Sequence, residues 1–409
     1  MAETDNVPAL PQELFDLIID HLFDDVNSLS ACALVSASFL SSSRAHLFSH
    51  IKIGPQNPRT SIDALNTLFA QHPALAGRVH SLHLCDDIMR RHSWIEEYPD
   101  SAALGVAQLA PLLGDLSRLV ITIDAGFVHW ANVADALRTS VHAMLSAQTL
   151  TRLALTGLYG LPLTLFAHTP ALAHVALKWV TFDERDSPDF ATTLAACVGS
   201  PVVRLQSLAL ELDARVLTQL VRWLLLPASP VDVSTLTALA CTLDAPLGAP
   251  RVQRLLDVCA PVLERLSLNN VLRILDLSAH TRLGTLCIGT RAPLAPRLHW
   301  LAESVLMPAQ PLALVLRAVL PDIALRPDPA LLTAADLTAL RLFPPTECIT
   351  LVLAQVEDDF LVREWEMVER EWGRALVDVS HAFVGVVVPG TGALRVLRVP
   401  YLMPLISRG

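Results

Sequence analysis

Lysine is nearly missing from this 409-residue chain: Lys52 and Lys178 are the only two among 30 basic residues, so arginine carries almost all the positive charge. Charge of either sign is sparse, at 17 % of residues, and the balance is acidic, with a formal net charge of −10. That excludes a general nucleic-acid surface, which requires clustered positive charge. Also missing is an uninterrupted apolar run long enough for a bilayer, since even LALVLRAVLPDIAL at 312–325 carries Arg317, Pro321 and Asp322. The opening MAETDNVPALPQELF has no basic-then-apolar leader, so the sequence predicts a cytoplasmic and/or nuclear address and no membrane partner.

Paired cysteines are absent too. Cys32, Cys85, Cys197, Cys241, Cys259, Cys287 and Cys348 are far apart, odd in number and free of any CxxC, which disfavours a disulfide framework and a zinc site and predicts reduced, buried thiols. His80 and His83 stand three apart with no third ligand at a metal-like spacing, and a strand would aim them at opposite faces. No Gly-x-Ser-x-Gly elbow, Walker loop or His-Glu-x-x-His helix occurs. The acid pairs Asp24-Asp25, Asp86-Asp87 and Asp358-Asp359 share no nucleophile and read as solvated turns or helix starts. Pro389-Gly390-Thr391-Gly392 lies between two strand-like runs and reads as a hairpin turn, not a phosphate loop. The sequence therefore predicts no catalytic residue, no cofactor and no metal.

What is there is apolar: 52 % of residues, enough for a large core and too much for extensive disorder. The first 53 residues predict three helices. Pro11 begins a helix that can run to about Phe23, with Glu13 and Asp16 at its positive end. Leu14, Phe15, Leu17, Ile18, Ile19, Leu22 and Phe23 cover about two-thirds of its circumference, leaving an acidic sector of Glu13, Asp16 and Asp20. A second helix starts at Ser28 as N-cap, and a third spans Ser41 to Phe48. So small a block has more apolar surface than it can bury alone, and one side asks for a partner.

The order Leu10-Pro11, Glu13-Leu14, Ile18, Leu22, Leu29, Cys32, Leu34-Val35, Phe39, Arg44, Leu47-Phe48 resembles an F-box. Where many members have Val-Cys and then Trp-Arg, this chain has Val35-Ser36 and Phe39-Leu40. The resemblance implies docking on a Skp-type adaptor, and through it on cullin and RING subunits of a ubiquitin ligase. It assigns the adaptor-facing role to Leu10, Pro11, Leu14, Ile18, Leu22, Leu29, Cys32, Val35 and Phe39. A small helical cap on the following domain is the competing reading. In a ligase subunit the lysine shortage has two explanations: escape from modification by its own complex, or a base composition favouring Ala, Arg, Leu and Pro.

Beyond a turn or linker at 54–60, a pattern apolar-x-x-apolar-x-apolar returns at Val79-Leu82-Leu84, Leu116-Leu119-Ile121, Leu150-Leu153-Leu155, Leu172-Val175-Leu177 and Leu205-Leu208-Leu210. It continues at Leu236-Leu239-Cys241, Leu263-Leu266-Leu268, Leu283-Leu286-Ile288 and Leu394-Leu397-Val399, with Cys348-Leu351-Leu353 inside a long gap. Segments such as Ser61 to Gln71 and Asp213 to Leu226 have helical spacing. This resembles an irregular leucine-rich repeat, and the predicted fold class is α/β: a three-helix F-box (1–53), then a leucine-rich-repeat-like solenoid of alternating helices and parallel strands (61–409), divergent from about 289. A compact all-helical domain is the alternative. The divergent part includes an amphipathic helix over Glu357 to Leu376 with Trp365 and Trp372 on its core stripe.

Because strand side chains alternate, residues between the leucines face the other way. The candidate client-binding face comprises Ser81, His83, Arg118, Val120, Arg152, Ala154, His174, Ala176, Ser207, Ala209, Arg265 and Ser267, suited to an acidic or aromatic segment. The predicted function is a substrate-recognition adaptor of an SCF-type ligase, with an unidentified client protein as partner. The alternative is a scaffold that binds partners without ubiquitin transfer.

Overall fold

Three helices run straight into a strand at the start of the chain. The structure, a computed structural model, describes residues 11–23, 25–56, 58–87, 93–96, 103–124, 126–183, 202–243, 249–269, 275–290, 313–320, 348–355 and 394–398. The expected helix at 357–376 and the turn at 389–392 lie outside them. The chain divides into two units, Met1–Leu161 with His168–Leu172, and Pro162–Ala167 with Ala173–Gly409.

In the first unit α1 (Gln12–Asp20), α2 (Val26–Val35) and α3 (Ala37–Ser49) lead into β1 (His50–Ile53), then α4 (Pro58–Gln71), the single turn α5 (Pro73–Ala76) and β2 (Ser81–Asp87). There follow α6 (Leu104–Leu109), β3 (Arg118–Asp124), the two-residue β4 (Val128–His129), α7 (Asp135–Leu145), β5 (Arg152–Thr156) and β6 (Leu158–Tyr159). Strands β1, β2, β3 and β5 pair side by side in that order, all parallel, while β4 pairs with β6. Parallel neighbours cannot be joined by a tight hairpin, and the intervening helices supply the crossovers.

The second unit contains β7 (His174–Lys178), β8 (Val203–Arg204), β9 (Ser207–Leu212), α8 (Ala214–Leu224), β10 (Val231–Asp232), β11 (Ala238–Leu243), α9 (Ala249–Cys259), β12 (Arg265–Asn269), β13 (Thr285–Thr290), β14 (Ala313–Leu320), β15 (Cys348–Gln355) and β16 (Leu394–Arg398). Strands β7, β9 and β11 to β16 form a parallel ladder in that order, with β8 and β10 a separate pair. The fold is α/β with extensive parallel sheet, which excludes the all-helical alternative.

Each copy of the six-residue template overlaps a strand, and from β2 to β13 the pairing register stacks its leucines into columns. In the first unit Leu82, Leu119 and Leu153 pair across neighbouring strands, as do Leu84, Ile121 and Leu155. In the second, Val175, Leu208, Leu239, Leu266 and Leu286 make one column, and Leu177, Leu210, Cys241, Leu268 and Ile288 the next. All of these are at most 3 % exposed, and each such side chain contributes about 1.5–3 kcal/mol relative to an exposed one. Helices cover this side: α8, capped by the Asp213 carboxylate accepting from Arg215 N and Val216 N at 2.8 and 2.9 Å, buries Val216, Leu217, Leu220, Val221, Trp223 and Leu224.

Ahead of six strands, β2, β3, β7, β9, β11 and β12, one carbonyl accepts two amides from the segment leading into the next strand. His80 O receives Ser117 N and Arg118 N, both at 2.9 Å, and Ser117 O receives Thr151 N and Arg152 N at 3.0 Å. Ala173, Gln206, Thr237 and Glu264 repeat the arrangement in the second unit. These bonds satisfy the backbone where the chain turns into the sheet.

Several boundaries differ from the sequence reading. Helix α2 starts at Val26 because Asp25, not Ser28, caps it, its carboxylate accepting from Asn27 N at 3.1 Å and Ser28 N at 3.0 Å. Helix α3 begins at Ala37, with the Ser36 hydroxyl accepting from Ser38 N at 3.2 Å, well before Ser41. The block expected to end at 53 gives its last four residues to β1, whose Ile51 and Ile53 are buried, and α4 begins at Pro58 inside the expected linker. Past 289 the parallel ladder continues: Leu286 pairs with Leu314, Leu314 with Ile349, and Ile349 with Leu394. Strand β14 matches no copy of the template, and in β15 and β16 Ile349 and Leu394 hold the column position that the template reserves for Leu351 and Leu397.

Candidate functional site

Helix α1 ties two of its three acids, Asp16 and Asp20, to α3. Asp16 accepts from the Ser42 hydroxyl on α3 and from Gln12 Nε2 at 2.9 Å, bonds that hold its carboxyl below the usual range. Asp20 accepts from His46 Nε2 at 2.7 Å, and Gln12 Nε2 also donates to Ser38 O at 2.7 Å. Between these polar ties Phe15 meets Phe39 edge to face at 5.0 Å, and Ile19 and Leu29 are at most 1 % exposed. Two members of the acidic sector, Asp16 and Asp20, thus take part in the contact with α3, while Glu13 is exposed.

The opposite side of α1 is consequently open and apolar. Leu14, Leu17 and Ile18 are 44, 55 and 48 % exposed, and Leu34 and Val35 on α2 reach 88 and 75 %. Of the thirteen exposed large apolar side chains among the described residues, seven fall between Leu14 and Val35. Of the positions assigned to the adaptor, Pro11, Leu14, Ile18 and Val35 are exposed and Leu22, Cys32 and Phe39 half-buried, while Leu10 lies outside the described residues. Leu29, also in that set, is turned into the block at 1 % exposure. Leu17 and Val26 are surface positions that the motif alignment passes over, and Leu34, which belongs to the motif, is exposed without being among the positions assigned to the adaptor.

The second candidate is the sheet face opposite the leucine columns. In the first unit its charges are sorted along the strands. His50, Ser81, Arg118 and Arg152 pair in one row, Lys52, His83, Val120 and Ala154 in the next, and Asp87 with Asp124 at the far end. Basic groups therefore stand where strands begin and acids where they finish. The second unit has His174, Ser207, Ala238, Arg265 and Thr285 in its first row, and small residues, Ala176, Ala209, Ala240, Ser267 and Cys287, in its second.

This face is drier than a solvated one. Ser81 and Ser207 are buried, at 7 and 3 % exposure, and His83, Arg118, Arg152, His174 and Arg265 are half-buried. His174 Nδ1 and Ser207 Oγ are hydrogen-bonded at 2.6 Å, and His83 Nε2 and Thr122 Oγ1 at 3.0 Å. Burial, then the charges of Lys52 and Arg118, push the His83 imidazole down to about 4. The face thus combines neutral hydrogen-bonding groups with a cationic margin.

The remaining chemistry is structural. Asp86 is fully buried, not in a solvated turn: it accepts from Ser93 Oγ at 2.5 Å and Ile95 N at 3.4 Å, pinning the segment after β2. Among the described residues no cluster of His, Cys, Asp or Glu could hold a metal ion, and no helix is long and apolar enough to cross a membrane. Cys32, Cys85, Cys241, Cys259 and Cys287 are free thiols. In comparisons with known proteins, no family model and no curated protein matches this chain.

Proposed function

We propose that this chain is the substrate-recognition adaptor of an SCF-type cullin-RING ubiquitin ligase in the cytoplasm or nucleus. Its three-helix block is an F-box that docks on a Skp-type adaptor, and its parallel-strand units are leucine-rich-repeat-like and hold the client protein. The observation that carries this reading is the apolar surface of Leu14, Leu17, Ile18, Leu34 and Val35, left open because Asp16 and Asp20 are engaged with α3. An exposed apolar patch of this kind marks a protein-interaction site. The row of His50, Arg118 and Arg152 suits an acidic client segment.

The mechanism is proximity. The chain supplies no nucleophile or acid-base group; it raises the effective concentration of client lysines beside a ubiquitin-charged conjugating enzyme. The test is co-elution of the full chain with a purified Skp-type adaptor in gel filtration. Leu14→Asp with Ile18→Asp abolishes co-elution while the circular dichroism spectrum stays native. Undiminished co-elution of that variant overturns the assigned docking face. A client that accumulates when the gene is deleted then marks transfer of ubiquitin rather than scaffolding.

A further inference from the structure

The two lysines of this chain differ sharply in environment. Lys178 ends β7 at 6 % exposure, with Nζ 3.7 Å from the Glu211 carboxylate on β9 and 4.3 Å from the centroid of the Trp179 ring. Successive strand residues point to opposite faces, and Trp179 folds back over its neighbour through a left-handed φ of 51°, its amide donating to Glu211 O at 2.9 Å. The amine is ion-paired, roofed by an indole and closed to a bulky electrophile. Lys52 is exposed on β1, the outermost strand of its sheet, three residues beyond α3.

We propose that Lys52 is the one lysine through which this chain accepts ubiquitin inside its own ligase assembly, an inference that rests on the reading of the preceding subsection. The acyl donor is a thioester, the ubiquitin C-terminal glycine carried on the cysteine of a conjugating enzyme. The unprotonated Lys52 Nζ attacks the thioester carbonyl carbon, the C–N amide bond forms, and the C–S bond breaks. The carrier cysteine leaves as thiolate with the electron pair, and the proton lost by the amine passes to solvent. Arginine cannot replace lysine in this step, so the scarcity of lysine together with the enclosure of Lys178 confines side-chain modification to one place beside the docking block.

The experiment uses the full chain as wild type, Lys52→Arg and Lys178→Arg. Each is assembled with Skp-type adaptor, cullin, RING subunit, charged conjugating enzyme and ubiquitin, and modified sites are mapped by peptide mass. Wild type and Lys178→Arg carry ubiquitin at Lys52, and Lys52→Arg loses lysine-linked modification. Ubiquitin on Lys178, or none on Lys52 in an assembly that forms, overturns the proposal. A parallel acylation of the chain alone with an N-hydroxysuccinimide acetate needs no ligase: Lys52 reacts at least roughly tenfold faster than Lys178, which must await local opening. Equal rates overturn the assignment from the side of accessibility. Failure of the chain to enter the assembly while Lys52 still acylates first strikes the ligase reading, and the ubiquitin step with it.

Discussion

Cys85 on β2 donates its thiol hydrogen to the Asp124 carboxylate on β3, Sγ to Oδ2 at 3.2 Å. Burial first, then this bond and the charge of Asp124, push the thiol up to about 12. Burial likewise pushes Cys241 and Cys259 up to about 12. At pH 8 only about one such thiol in ten thousand is ionised, and the thiolate is the reactive form. Iodoacetamide at pH 8 therefore alkylates the half-buried Cys32 before any of these three, as read by peptide mass, and Asp124→Asn speeds Cys85 without changing Cys241. All three folded values exceed the ordinary 9.0, so their contribution to stability is complete below pH 9 and declines as pH rises toward 12.

His83 gives the opposite slope. Its folded value of about 4 lies below the ordinary 6.5, so the unfolded chain binds the extra proton first and stability falls as pH drops from 6.5 to 4. At about 1.4 kcal/mol per unit, the loss approaches 3 kcal/mol. Urea midpoints across that range fall more steeply for wild type than for His83→Gln. Parallel slopes for the two proteins remove the assignment.

Surface and core residues of the N-terminal block separate by stability. Leu34→Ser and Val35→Ser shift unfolding by less than about 0.5 kcal/mol, as expected of exposed positions, whereas Leu29→Ala costs about 2–5 kcal/mol through its cavity. Chemical denaturation of the chain alone measures all three. A large loss at Leu34 would place that side chain in a core rather than on a docking face.

Gly157 joins β5 to β6 with φ +72°, and a Cβ there would stand 2.9 Å from Ile123 Cβ and from Ile123 O. Gly157→Ala therefore destabilises by about 1–3 kcal/mol, visible as a lowered Tm. An unchanged Tm would show that β3 yields.

The leucine columns were legible because a period of two with fixed offsets survives any crossover length. The orientation of α1 was not: apolar residues cover so much of its circumference that composition favours no side, and the choice rests on Ser42 and His46, 26 residues further along. Strand β1 escaped notice because HIKI is four residues long and directly follows a helix. Asp86 resembled a solvated acid for the same non-local reason, since Ser93 and Ile95 arrive from the loop beyond. The choice of Asp25 over Ser28 as cap was a contest between two good capping residues three apart, which propensity alone does not decide. The charge sorting of the first sheet was hidden too, because it depends on which strands become neighbours.

The doubly used carbonyls ahead of the strands work as a phase lock. With His80 O and its equivalents holding two consecutive amides each, a residue inserted between Leu116 and Ile121 would carry every later side chain of that strand through to the wrong surface. Drift in length is thereby confined to the crossovers, where consecutive template starts up to Leu283 already lie anywhere from 20 to 37 residues apart. A lineage of such chains can lengthen or shorten its outer segments freely while the strand phase stays fixed.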